Sequence, residues 1–254
     1  MKLLRDTWLV FQRHMLLMTR TPMLIILGVA QPIVYLILFA PLLKEALVTL
    51  GAESTTDAYR FYVPGMLVAL AMATGLYAGF SLLNEMASGV IERTRVTAIS
   101  RSAMLLGRAM RDVVVIIVQS LILTILSIPL GLVVFIDNVL VAYLILSLVT
   151  LFTSAISYMI ALRVSGPAVL GQIINNVAQP LMLISGTLLP IALAPLWLRN
   201  VAEWNPFAWA VDGMRSLFRN NLDDPNIWKA LVFISVLTVV AIVWSARSFA
   251  KAVR

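Results

Sequence analysis

The sequence predicts an all-α membrane protein: six transmembrane helices, an N-terminal amphipathic interfacial helix ahead of them, and a short re-entrant or interfacial helical hairpin before the last span. Three observations support this. Hydrophobic residues make up 61% of the 254 and charged residues only 12%, far from the balance of a soluble domain of this length. Uncharged stretches recur at the length a bilayer core demands, roughly 20 apolar residues per helix. The Lys and Arg residues lie between those stretches and crowd onto alternate connections, as membrane topology requires.

Residues 1–20 form the interfacial helix. Leu4, Trp8, Phe11, Met15 and Met18 recur at spacings of three and four and so share one helical face, with Arg5, Arg13 and Arg20 off that stripe. Such a segment is expected to sink its apolar face into acyl chains and set its Arg residues at lipid phosphates. A helix packed on a partner protein is the plainer alternative. The segment is too charged for a cleaved leader and is read as retained. Its His14, the one histidine of the chain, reads as a surface residue rather than a catalyst.

The spans are expected at 21–43, 61–84, 113–134, 139–162, 168–189 and 228–246. In the fifth, the uncharged window runs on to 198, and Pro190 and Pro195 stop the helix after one crossing. Trp197, Trp204 and Trp209 follow at the depth where aromatic belts form, so 190–222 is read as an external hairpin. The last span is short by its charge-free window alone, and Trp228 with a snorkelling Lys229 extends it. Six spans place both termini on one side. That side carries 13 of the 19 Lys and Arg residues and four of the twelve acids, so it is expected to be cytoplasmic, in a prokaryotic plasma (inner) membrane.

The apolar windows hold no Asp, Glu, Lys, Arg or His except at their ends. A carrier driven by an ion gradient needs an ionisable or ion-ligating group near the midplane, so an ion-coupled carrier is disfavoured. No cysteine is present and no ligand cluster suggests a metal site, so no bound metal is expected. The basic residues are topological and imply no nucleic acid.

Uncharged polar residues are patterned instead. Gln172, Asn175, Asn176 and Gln179 fall at i, i+3, i+4 and i+7 and form one stripe just before Pro180. The stripe is read either as packing glue between helices or as a substrate path or dimer seam, and Gln31 beside Pro32 could face the same region. Ala71, Gly75 and Gly79 repeat every fourth residue, a small-residue face whose plainer use is close packing within the subunit. The connection 85–108 mixes Glu92, Arg93, Arg95, Arg101 and Arg108 with apolar Val90, Ile91, Val96 and Ile99. An amphipathic helix there could dock on a soluble partner. A positive-inside loop without a partner is the alternative.

Two blocks resemble a known family. Gly89 through Arg101, with Glu92-Arg93 and continuing to Gly107-Arg108, resembles the cytoplasmic coupling segment of ABC-2 type permease subunits, the group of daunorubicin-exporter-like and of nodulation and polysaccharide exporters. Ala98 stands where that family usually has Pro. The second block is Ser185-Gly186-Thr187 with Pro190, then Pro195 and Trp197, Asn205-Pro206 and Arg215; it is similar to the family's signature before its last span. The resemblance spans essentially the whole chain. It implies a permease subunit of an ATP-driven exporter, not itself an enzyme, paired with a second permease copy. A separate ABC ATPase subunit would hold ATP and Mg, and Glu92, Arg93, Arg95 and Arg101 would contact it. The 254 residues contain no Gly-x-x-x-x-Gly-Lys-Ser/Thr loop to grip a nucleotide. The implied cargo is an amphipathic drug, a lipid-like molecule or a glycan, passing near spans one, two and five. A membrane scaffold or immunity protein with no cargo is the rival from another class.

Overall fold

The computed structural model describes residues 2–21, 23–48, 55–91, 100–187 and 191–252. Among them there are helices and turns and no strand. In chain order the described α-helices are α1 (Lys2–Thr19), α2 (Met23–Val48), α3 (Thr55–Ala87), α4 (Arg101–Ser127), α5 (Ile136–Ala161), α6 (Pro167–Ile184), α7 (Leu196–Ala202), α8 (Pro206–Phe218) and α9 (Pro225–Ala252). A single 3₁₀ turn, Ile191–Leu193, precedes α7.

Four of these helices contain a stretch long and apolar enough to cross a membrane: Tyr59–Ala87, Ser102–Ser127, Ile136–Ala161 and Pro225–Phe249. α2 contributes a shorter apolar stretch, Ile26–Leu38. α6 has only 18 residues, and four of them are the amides of the polar stripe, which lower its apolar content. The chain is a multipass, all-helical membrane protein.

Two helices differ in extent from the spans expected there. α4 begins at Arg101, where Ser100 caps it by accepting from the Ala103 amide at 3.3 Å. Its N-terminal half therefore contains Arg108, Arg111 and Asp112, and the helix begins ahead of the span expected from 113. A helix is not interrupted by charges that find partners on its neighbours; the window rule assumes that every charge lies in water. The same helix ends at Ser127, and a turn with Gly131 at φ 110° follows, so 128–134 do not extend the span. α6 ends at Ile184 rather than 189, because Gly186 takes the left-handed φ of 73° that stops a helix.

The interior is organised around α3, which packs against α5, α2, α4, α6 and α8. The small-residue face of α3 meets α5 at van der Waals limits. A Cβ on Gly75 would sit 2.6 Å from the Thr150 carbonyl oxygen, and one on Gly79 would sit 2.8 Å from that of Ser157. At this closeness, polar side chains of α5 reach α3's backbone: Thr150 Oγ1 donates to the Ala71 carbonyl at 3.2 Å, Ser157 donates to the Leu76 carbonyl, and the Gly79 amide donates to Ser157 Oγ at 3.0 Å. The seam is thus an intrasubunit contact, tied by hydrogen bonds that are satisfied without water.

α9 closes the other side of α5, with Thr238 Oγ1 donating to the Leu148 carbonyl at 3.1 Å. Asn138 ties the start of α5 to the end of α8 through the Leu217 carbonyl at 2.9 Å and Asn220 Oδ1 at 3.0 Å. At the opposite end α1 crosses α4 at Gly107, where a Cβ would lie 2.7 Å from that of Val10. α1 turns Asp6, Thr7, Val10 and His14 inward and leaves Leu4 and Trp8 exposed.

Candidate functional site

The described residues hold three polar regions. The first is the stripe on α6. Gln172, Asn175, Asn176 and Gln179 are all exposed, so none of the described helices covers them. Two of them meet Gln31: Gln31, Pro32, Asn175 and Gln179 line one cavity of about 190 Å³ between α2, α3 and α6, whereas Gln172 and Asn176 do not line it. Two tyrosines complete the polar wall. Tyr77 Oη donates to Asn175 Oδ1 at 3.0 Å, and Gln31 Nε2 donates to Tyr35 Oη at 3.3 Å. Sequence reasoning missed both tyrosines; a Tyr well inside an apolar window, needing a partner for its hydroxyl, was the available signal.

Tyr77 also lines a second cavity, of about 370 Å³, that opens towards the α1 end. Its wall includes His14, Glu85, Arg111 and Asp112. Here one sequence expectation is corrected. Asp112 and Arg108, which precede the expected third span, are buried within α4. His14 is buried as well, rather than on the surface, with its Nδ1 3.6 Å from Glu85 Oε1.

The charges are paired across helices. Glu85 of α3 accepts from Arg108 of α4, and Asp112 accepts from Arg111 and from the Tyr158 hydroxyl of α5. Burial first, then the positive charges of Arg108, Arg111 and Arg13, push the His14 pKa down to about 3. His14 is therefore neutral at physiological pH, and its approach to Glu85 is not an ion pair. One further contact joins α1 to the segment before α4: the Ser100 amide donates to Asp6 Oδ2 at 3.2 Å. Glu92, Arg93 and Arg95 lie outside the described residues. Arg101 is the first residue of α4.

The third region is the hairpin. Asn205 caps α8 by accepting from the Phe207 amide at 3.0 Å and donates to the Leu181 carbonyl at 3.3 Å, while Pro206 takes the first helical position, where a missing N–H costs nothing. Pro195 caps α7 and Trp197 is exposed on it. Pro190 lies outside the described residues. Arg215 is buried and acts as a clamp: Nε donates to the Phe61 carbonyl at 3.2 Å, Nη2 donates to the Gly186 carbonyl at 2.7 Å, and the guanidinium stacks 3.7 Å from the Phe61 ring centroid. Burial draws its pKa down to about 10, so it remains a cation at neutral pH. The Ser185-Gly186-Thr187 block and Arg215, far apart in sequence, thus meet at one joint with the start of α3.

Among the described residues no group of His, Asp and Glu could hold a metal ion. The arrangement offers binding surfaces and helix contacts.

Comparison with known proteins agrees with the two sequence blocks. The family model of the ABC-2 type transporter matches residues 5–218. The protein named "Putative transport permease ycf38" of Porphyra purpurea is 28% identical over 226 residues, covering 88% of this chain and 77% of its own. Its namesake in Cyanophora paradoxa is 24% identical over 93% of this chain and 86% of its own. The daunorubicin resistance ABC transporter permease protein DrrB1 of Streptomyces coeruleorubidus is 26% identical over 81% of this chain and 72% of its own. With the family's match running from α1 through α8 and the fold built of apolar membrane helices, this chain belongs to the ABC-2 type transporter family, as a membrane-embedded transport permease component rather than an enzyme.

Proposed function

We propose that this chain is the membrane-spanning subunit of an ATP-driven exporter, working as a pair of permease copies with a separate ABC ATPase. Six crossings follow if α2 and α6 join the four long apolar helices, with both termini cytoplasmic and the hairpin outside. Family membership supports the ATPase partnership, since permeases of this family normally work with one.

The observation that carries the reading is the uncovered amide row of α6 beside the cavity of Gln31, Tyr35 and Tyr77. An amide facing acyl chains loses the hydrogen bonds that water would supply, at a cost of a few kcal/mol each. Gln172 and Asn176 therefore need a partner or a wet path against them. A second copy facing the first across α6 and α2 supplies both: it covers the row and encloses a polar-walled route continuous with the Gln31 cavity. Walls of amides, tyrosines and apolar side chains suit an amphipathic, weakly polar cargo, such as a drug or lipid-like molecule. The printed name of the daunorubicin resistance relative points the same way.

Glu92, Arg93, Arg95 and Arg101 would take the push from the ATPase. Closure of the nucleotide-bound ATPase pair would bias two packings of the permease through that segment, and the Asp6 contact to Ser100 would carry the motion into α1. The chain purified with its companions should bring down a Walker-type ATPase, identified by mass, and Glu92→Ala with Arg93→Ala should uncouple cargo-stimulated ATP hydrolysis from efflux. Efflux at the wild-type rate in that double variant, or transport by this chain alone in vesicles, would overturn the reading.

A further inference from the structure

We infer that the cleft at the hairpin end is a binding site for a zwitterionic phospholipid, taking its phosphate and ammonium headgroup. This site is separate from the amide-lined route, and the inference stands without any assignment of cargo. The cleft, about 850 Å³, lies between α7, α8, the head of α9 and Phe61 of α3, a size that admits a headgroup with its glycerol and first methylenes.

The charged residues of this cleft divide into two sets. Arg215 is used up by the Phe61 and Gly186 carbonyls and by Asp212, a further carboxylate of the cleft, whose Oδ1 lies 3.6 Å from Nη1. Arg199 donates to the Ala194 carbonyl at 2.8 Å and to that of Ala192. Asp224 accepts from Ser216 and from the Asn226 amide. These contacts build the walls. Arg219, Lys229 and Glu203 also line the cleft, and among the described residues none of the three side chains has a hydrogen bond or an ion pair.

Two cations and an anion left unpaired in one concave site suit a ligand carrying both signs. The phosphate would go to Arg219 and Lys229 and the ammonium to Glu203. Trp209 and Phe233, whose rings pack 4.9 Å apart by centroids, line the same cleft. They offer an apolar bed for the glycerol ester region and a ring face for the cation. The depth also fits. Trp197 and Trp204 are 67% and 84% exposed on the hairpin, and indole rings settle at the headgroup layer. Lys229 stands at the start of the apolar run of α9, where the same layer ends. An anionic lipid would leave Glu203 facing its phosphate unrelieved, and an uncharged glycan would leave all three charges unanswered.

The full chain, purified in a maltoside detergent, would be titrated with dihexanoyl phosphatidylethanolamine, dihexanoyl phosphatidylglycerol and free phosphoethanolamine, with bound copies counted by native mass spectrometry. One phosphatidylethanolamine per chain is expected, about tenfold tighter than phosphatidylglycerol, as one charge-assisted contact confers. Arg219→Gln with Lys229→Gln should weaken it at least about tenfold, and Glu203→Gln should erase the preference for the amine-bearing lipid. All three side chains are exposed, so these variants should keep the wild-type unfolding midpoint. Equal retention of the two lipids by the wild type, no stoichiometric binding, unchanged binding in the double variant, or free phosphoethanolamine binding as tightly as the lipid would overturn the inference.

Discussion

The small-residue face of α3 and the amide face of α6 are both helical stripes of non-apolar character in membrane helices, yet they end up in opposite places. Ala71, Gly75 and Gly79 are pressed against α5 until the backbones touch, and the hydroxyls of Thr150 and Ser157 spend their hydrogen bonds inside the seam. The amides of α6 stay uncovered. A small residue gains only by close approach, and the nearest helix of the same chain supplies that. A row of amides gains only from polar partners, and this chain offers them Tyr77, on Asn175, and Gln31 across the cavity. The difference teaches that one stripe was spent on folding and the other held back for a partner or a path.

The seam should be fragile and the amide face robust. At the α1 end of the seam, Glu85→Gln leaves Arg108, 2% exposed, without its counter-charge, and should cost about 4 kcal/mol of stability. Thermal unfolding in detergent measures it. Gly75→Leu drives a side chain into the Thr150 carbonyl and should cost about 3 kcal/mol, read by the same assay; near-wild-type stability would mean that α3 and α5 do not meet there. Gln172→Leu with Asn176→Leu should shift the stability of the single chain by no more than about 0.5 kcal/mol, yet cut efflux by the assembled transporter about tenfold. If this pair unfolds like the seam variants, the contrast between the stripes fails.

The smallest effect sharpens the electrostatics of the α1 end. His14 titrates near 6.5 when unfolded and near 3 when buried. Its folded pKa is depressed, so between those values the unfolded chain binds the proton and the folded chain does not. Stability is full above pH 6.5 and falls as pH drops from 6.5 towards 3. His14→Gln should remove on the order of 1 kcal/mol of the acid sensitivity seen between pH 7.5 and pH 5, measured as the difference between the two unfolding profiles.

The seam was legible because a four-residue repeat of Ala and Gly has one strong use in a bilayer. The amide stripe was legible as a stripe, but its exposure was not, because periodicity names a face and does not say what stands opposite it. His14 was misread for a different reason. It was read as a lone histidine of the interfacial helix, whereas Arg108 and Arg111 of α4 and Glu85 of α3 gather around it. Family resemblance named Gly186 and Arg215 but neither Phe61 nor their meeting, since no local pattern links residues so far apart.

Composition and charge placement settled by themselves that the chain lives in a membrane as a bundle of helices, because hydrocarbon tolerates little else. The order of the two motif blocks named the family. Which charges are buried in pairs, which amides face outward, and where the hairpin leaves Arg219, Lys229 and Glu203 unpaired were decided only when distant segments packed. Those outcomes depend on which groups meet across helices, and a pairing between helices is a property of the packed bundle rather than of any one stretch of sequence.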